Sequence, residues 1–162
     1  MQRKLLIIFS FLVMIVLNYG IYQKEQILAH GETLLIELAP VDPRSLLQGD
    51  YMALDYAIAR KASSLPLTSS QQRGYIVIKS DNNKVAQFVR FYNGEPLTDN
   101  EKLLRFHRRY NQINIVPDSF LFQEGHAKYY ENAKYGVFKF TDKSRLLVGL
   151  ADDDRKIITP SE

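Results

Sequence analysis

The rhythm of hydrophobic and polar positions changes sharply after residue 22. From Leu5 to Tyr22 the run LLIIFSFLVMIVLNYGIY leaves the apolar set only at Ser10, Asn18 and Gly20 and carries no charge. As a helix rising ~1.5 Å per residue it would span roughly 27 Å, close to the roughly 30 Å hydrocarbon core of a bilayer. The run therefore predicts one membrane-crossing helix. A cleavable signal peptide has a shorter apolar stretch, roughly 7 to 15 residues, and ends in a small-x-small site. Here the run is longer, and Tyr19 stands directly before the only small candidate, Gly20. An uncleaved signal anchor is the expectation, with Tyr19 and Tyr22 at the far interface, where amphipathic rings are favoured.

Beyond residue 22 the pattern is one of short strand-like runs separated by turn chemistry, with little helical periodicity. Thr33 to Ala39 reads as an apolar strand closed by Pro40. Asp42 to Gly49 reads as one helical turn, with Asp42 as cap, Pro43 in the first position and Gly49 as stop. Asp50 to Ala59 alternates as a half-buried strand, with Met52, Leu54, Tyr56 and Ile58 on one face. A polar stretch from Arg60 to Gln72 suggests a short helix and a loop. Tyr75 to Lys79 and Lys84 to Tyr92 form the clearest hairpin, turning over Ser80 to Asn83. In Leu103 to Val116 the capping-box spacing of Thr98 and Glu101 argues for a helix, whereas the alternation argues for strands. The apolar parity flips near Asn111, which favours two strands joined by a bulge or tight turn. Phe120 to Phe122 is a brief strand, His126 to Ala133 a short helix, and Tyr135 to Thr141 with Arg145 to Ala151 a closing hairpin. The expected fold is mainly β (α+β): a transmembrane helix followed by an antiparallel β-sandwich or partly open barrel with one or two short helices.

Charge changes this picture in one respect. The 162 residues carry 21 Lys and Arg against 18 Asp and Glu, a formal net charge of +3. Arg3 and Lys4 precede the apolar run, whereas Lys24 and Glu25 cancel after it, so the positive-inside bias predicts a cytoplasmic N-terminus and an exported remainder. Without Arg3 and Lys4 the domain is close to neutral, and its apparent basicity, which could suggest nucleic acid, becomes a topology signal. The boundaries expected are 1–24 for the cytoplasmic tip and anchor and 25–162 for the exported domain. The chain has no Cys. That excludes a disulfide scaffold, a thiolate metal site, a Cys nucleophile and a lipid-bearing amino-terminal Cys.

Residues 49 to 56 read Gly-Asp-Tyr-Met-Ala-Leu-Asp-Tyr, which is G-D-Y-x-x-L-x-Y throughout. The string resembles the bacterial GDYXXLXY family, membrane-anchored envelope proteins with no assigned biochemical role. Pro40 to Arg44, Leu47 to Gly49, Phe120 to Ala127 and Leu146 to Leu150 are also similar to that family, so the likeness extends over most of residues 32–151. The resemblance implies an inner-membrane assembly, because such proteins are described beside multispanning membrane proteins.

The physical reading of the motif has two sides. Gly49 permits a turn, Asp50 pairs locally, and Leu54 and Tyr56 enter the core. Tyr51 and Asp55 face outward and could join Asp50 in a binding surface, since an odd separation puts Tyr51 and Tyr56 on opposite faces of one strand. Glu124-Gly125-His126 reads as a strand-to-helix turn, with Glu124 and Gly125 as further candidate binding positions and acid-base work as the sharper alternative. Arg105, His107 and Arg109 share a face if their segment is a strand, a basic patch fitted to an anionic headgroup, glycan or acidic partner. The three His have no ligand spacing, so no metal or cofactor is expected. The enzymatic alternative is a Ser-Lys hydrolase of signal-peptidase type, to which Gly49-Asp50 after a Pro-containing turn is similar. It would pair Ser45 with Lys61, Lys79 or Lys84, but no Ser-Met-x-Pro segment precedes the turn. The preferred reading is a binding or assembly component, with a multispanning inner-membrane protein as partner and no nucleic acid.

Overall fold

The structure, a computed structural model, describes residues 2–39, 47–48, 51–65, 72–110, 112–141 and 144–160. A single helix α1 (Gln2–His30) contains the apolar run, and its side chains from Lys4 to Tyr22 are exposed on every side. By length and composition it can cross a membrane once and fits a membrane anchor; a secretory signal sequence meets the same criteria. Gly31 ends the helix: its N–H bonds to the carbonyl of Ile27 at 2.9 Å, and β1 (Glu32–Glu37) begins immediately after.

Among the described residues nine further strands follow: β2 (Leu47–Gln48), β3 (Tyr51–Ala53), β4 (Arg73–Ser80), β5 (Ala86–Phe91), β6 (Glu101–Arg109), β7 (Gln112–Ile115), β8 (Ser119–Leu121), β9 (Tyr135–Phe140) and β10 (Arg145–Ala151). They form three antiparallel sheets in the orders β1-β9-β10, β2-β3-β8 and β5-β4-β6-β7. The first and third meet edge to edge, where Leu35 bridges Val85 and its N–H bonds to the carbonyl of Lys84 at 2.8 Å. The result is a half-barrel, so the expectation of a β-rich domain with a partly open barrel holds.

The concave side holds the main core. Leu34 and Ile36 of β1, Ile76 and Ile78 of β4, Leu104 and Phe106 of β6, and Phe138 and Phe140 of β9 meet there. Because successive strand residues point to opposite faces, Leu35 packs instead with Val85, Val137 and Ala151 in a second, smaller cluster. Helix α2 (Ala57–Ser63) packs against β7, β1 and β5, with Ile58, Ala59 and Ala62 buried. The Ser63 hydroxyl donates to the carbonyl of Ala59 at 2.8 Å and accepts the Ile113 N–H at 2.9 Å, which fixes α2 to β7.

Several segments differ from their expected form. The strand expected over Asp50 to Ala59 ends at Ala53, and Ala57 opens α2. The apolar spacing survives the change: Met52, Leu54, Tyr56 and Ile58 are all buried, the last from a helix. The small side chains of Ala59 and Ala62 are buried where α2 packs on the strands. Of the helical turn expected over Asp42 to Gly49, Leu47 and Gln48 belong to β2, while 42–46 and Gly49 lie outside the described residues. Thr98 and Glu101 make capping-box contacts, Glu101 Oε2 accepting the Thr98 N–H at 3.1 Å, but the chain then enters β6. The parity flip near Asn111 is taken up by a tight turn in which Tyr110 has φ of 47°. The short helix expected over His126 to Ala133 is α3 (Ala127–Tyr130).

Candidate functional site

In the G-D-Y-x-x-L-x-Y segment, Gly49 and Asp50 lie outside the described residues, as do Arg44 and Ser45. The rest of the motif is divided between core and surface. Leu54 is buried, and its N–H bonds to the carbonyl of Asp118 at 2.8 Å. Tyr56 is the largest of the fully buried side chains. Its ring lies 6.0 Å from that of Phe138, and its hydroxyl donates to the carbonyl of Pro117 at 2.8 Å. Burial, and secondarily the Asp118 carboxylate, pushes the Tyr56 phenol well above its ordinary range. On the outer side, Tyr51 pairs across the strands with Leu121, and both are exposed. Asp55 forms an ion pair with Arg60 of α2 at 2.8 Å, between the residue before the helix N-cap and the helix's second turn. The motif thus ties β3, α2 and the loop before β8 together.

Glu124 and Gly125 lie in an exposed turn before α3. Gly125 has φ of 80°, which favours glycine, and the His126 N–H closes the turn on the carbonyl of Gln123 at 3.0 Å. Tyr130 of α3 stacks on Phe122 and meets Phe120 edge-on, each at 5.3 Å, so this turn delivers an aromatic clamp for β8. Of the lysines that a Ser-Lys hydrolase would recruit, Lys61, Lys79 and Lys84 are all exposed, so none is desolvated in the way a lysine base requires.

The basic residues of β6 do share a face. In the β4–β6 register Tyr75 stands opposite Arg105 and Arg73 opposite His107, while Asn114 of β7 faces His107 from the other side. Leu104 and Phe106 alternate with them into the core. Arg73, Tyr75, Arg105 and Arg109 are exposed and His107 is half-buried. Arg109 also lies over the ring of Tyr110, 5.8 Å from its centroid, and that ring is 92% exposed at the tip of the β6–β7 turn. The face is broader than β6 alone suggests, because β4 adds a cation and an aromatic ring that only the pairing register brings alongside.

Next to it opens a cavity of about 440 Å³ between the start of β6 and the β9–β10 hairpin, lined by Tyr75, Lys102, Leu103, Phe140, Ser144 and Arg145 among others. Lys102 is committed to Glu32 at 2.9 Å. Glu101, also on the wall, is held by a forked contact from Arg90, which includes an Nη2 to Oε2 bond of 3.2 Å. Arg90 and the Thr98 N–H hold the Glu101 carboxyl below its ordinary range. Arg145 is different: its Nε is buried and meets no acceptor among the described residues. A donor buried in this way costs about 1–3 kcal/mol. Desolvation lowers the Arg145 pKa, nearby Arg105 adds to that effect, and Tyr75 opposes it. Sequence reasoning missed Arg145 because only the closing hairpin brings it to β4 and β6.

A comparison with protein-family models matches the GDYXXLXY protein family over residues 13–150. No match is found among curated proteins or among solved structures. The matched span runs from within α1 to β10, covering most of the chain and including the motif, the basic face and the cavity, and the chain therefore belongs to the GDYXXLXY family.

Proposed function

We propose that this protein is a single-pass inner-membrane binding or assembly component. In this reading α1 stays in the membrane with the N-terminus in the cytoplasm, and residues 25–162 form a domain on the periplasmic or extracytoplasmic side. The observation that carries it is the exposed face of β4 and β6, where Arg73, Arg105, His107 and Arg109 flank Tyr75. Cations around an exposed ring suit an acidic protein surface, because Arg makes forked contacts to carboxylates while the ring supplies apolar area. A retained membrane anchor would hold such a surface beside the bilayer, where a multispanning protein is a partner at high local concentration. Tyr51, exposed on β3 of a separate small sheet, would extend the contact.

The test is affinity purification of the full-length protein from membranes beside the Arg105→Glu, Arg109→Glu double variant. A multispanning protein retained in stoichiometric amount by the wild type and lost from the variant, at unchanged melting temperature, supports the reading. Equal retention by both removes the basic face from it.

A further inference from the structure

We propose that the cavity between β6 and the β9–β10 hairpin binds the phosphate of a membrane lipid headgroup, with Arg145 as the anchoring cation. The inference rests on α1 being a retained membrane anchor, and it adds a ligand to the partner-binding reading. Three features of the site point the same way. The Arg145 Nε is a buried donor with no acceptor among the described residues, and a phosphate oxygen supplies one. A guanidinium also matches phosphate with paired donors, which a lysine in its place would not do.

Among the described residues lining the cavity, Arg145 and Asp99 are the charged groups without an ion pair, and Arg145 is the more enclosed of the two. Glu101 is taken by Arg90 and Lys102 by Glu32. Asp99 lies at the exposed rim. Arg105 is near enough to oppose the charge on Arg145, and a bound dianion or monoanion would relieve that repulsion. The Ser144 hydroxyl and Tyr75 also line the cavity and can donate to the remaining phosphate oxygens.

The position in the fold supplies the source of the phosphate. Glu32, one residue beyond the end of α1, pairs with Phe140 of the cavity wall, and Lys139 Nζ donates to the carbonyl of Gly31 at 3.1 Å. The cavity therefore lies at the end of the domain nearest α1. From Tyr22 to His30 the helix rises roughly 12 Å beyond its apolar run. Headgroups occupy roughly 5–7 Å of that rise, and a lipid raised by the remaining roughly 5–7 Å places its phosphate at the cavity, drawn by charges that lie within the Debye length of roughly 8–10 Å. Anionic headgroups are the phosphates at highest local concentration there.

The experiment titrates full-length, delipidated protein in a sugar-headed detergent and follows binding by native mass spectrometry. The probes are phosphatidylglycerol, inorganic phosphate and a phosphate-free glycolipid with the same chains. The wild type should take up one phosphatidylglycerol saturably, with affinity reduced about tenfold or more in Arg145→Gln and several-fold in Arg105→Gln. The melting temperature of Arg145→Gln should stay at or above the wild-type value, because a buried Nε donor that lacks an acceptor among the described residues has been removed. If Arg145→Gln fails to fold, Arg105→Gln on its exposed strand carries the test. Inorganic phosphate binding as tightly as the lipid would leave the phosphate site but overturn the lipid as its source. Equal binding of the glycolipid, unchanged affinity in both variants, or no saturable uptake would overturn the proposal. These titrations contain no protein partner, so their failure leaves the partner reading standing, and loss of co-purification leaves the lipid site standing.

Discussion

Tyr56 donates its hydroxyl proton to the carbonyl of Pro117, 2.8 Å away and 61 positions along the chain. This bond joins the last residue of the family motif to the loop that precedes β8, while the same ring packs on Phe138 of β9. Three parts of the domain therefore meet at one side chain. Replacing Tyr56 with Phe keeps the ring contacts and deletes the donor. The expected cost is about 1–2 kcal/mol, read as a lower denaturation midpoint with an unchanged slope in denaturant.

The same burial makes an alkaline prediction. The Tyr56 phenol is held protonated in the folded state, whereas in the unfolded chain it ionises near about 10. A folded pKa above the unfolded one gives stability that is complete below that value and declines as pH rises through it. Burial raises Tyr130 in the same direction. Unfolding free energy should thus fall above about pH 10, with Tyr56 contributing up to about 1.4 kcal/mol per pH unit. Denaturant titrations of Tyr56→Phe at rising pH should show a shallower decline than the wild type.

At the acid end the sign reverses. Arg90, followed by the Thr98 N–H, holds the Glu101 carboxyl below its ordinary range. Its contribution is present above the unfolded value of about 4.3 and is lost as pH falls through the lower folded value. The Glu101→Gln variant should therefore show a flatter acid limb than the wild type. Melting temperatures collected across this range check it, and identical acid limbs would contradict it.

Gly136 tests the packing around the motif. A Cβ there would lie 3.2 Å from Phe138, 3.3 Å from Tyr56 and 3.4 Å from Leu147, all in the interior. Gly136→Ala should destabilise the domain by about 1–3 kcal/mol through overpacking. An unchanged melting temperature would mean that the Tyr56 ring yields at little cost.

What could be read in advance follows the range of the forces involved. The Tyr75 to Tyr92 hairpin was legible because turn chemistry and alternation are local, and β4 and β5 lie close to the expected positions. Met52, Leu54, Tyr56 and Ile58 were legible as core residues, yet Ile58 belongs to a helix. Burial of alternate residues does not distinguish a continuing strand from a strand that hands over to a helix. Arg105, His107 and Arg109 could be placed on one face by parity alone, whereas Arg73 and Tyr75 join them through register, a non-local property. Arg145 was invisible for the same reason. Its significance lies in an acceptor that is missing, and a missing contact leaves no trace in sequence.

Contact between the β4–β6 face and a membrane partner can be captured by a photo-crosslinking side chain placed in the full-length protein in intact membranes. Positions 107 and 109 lie on the basic face, and exposed Glu131, just after α3, serves as the comparison. One discrete adduct with a multispanning protein is expected from 107 and 109 and none from 131. No adduct from 107 and 109, or the same products from all three positions, would contradict it.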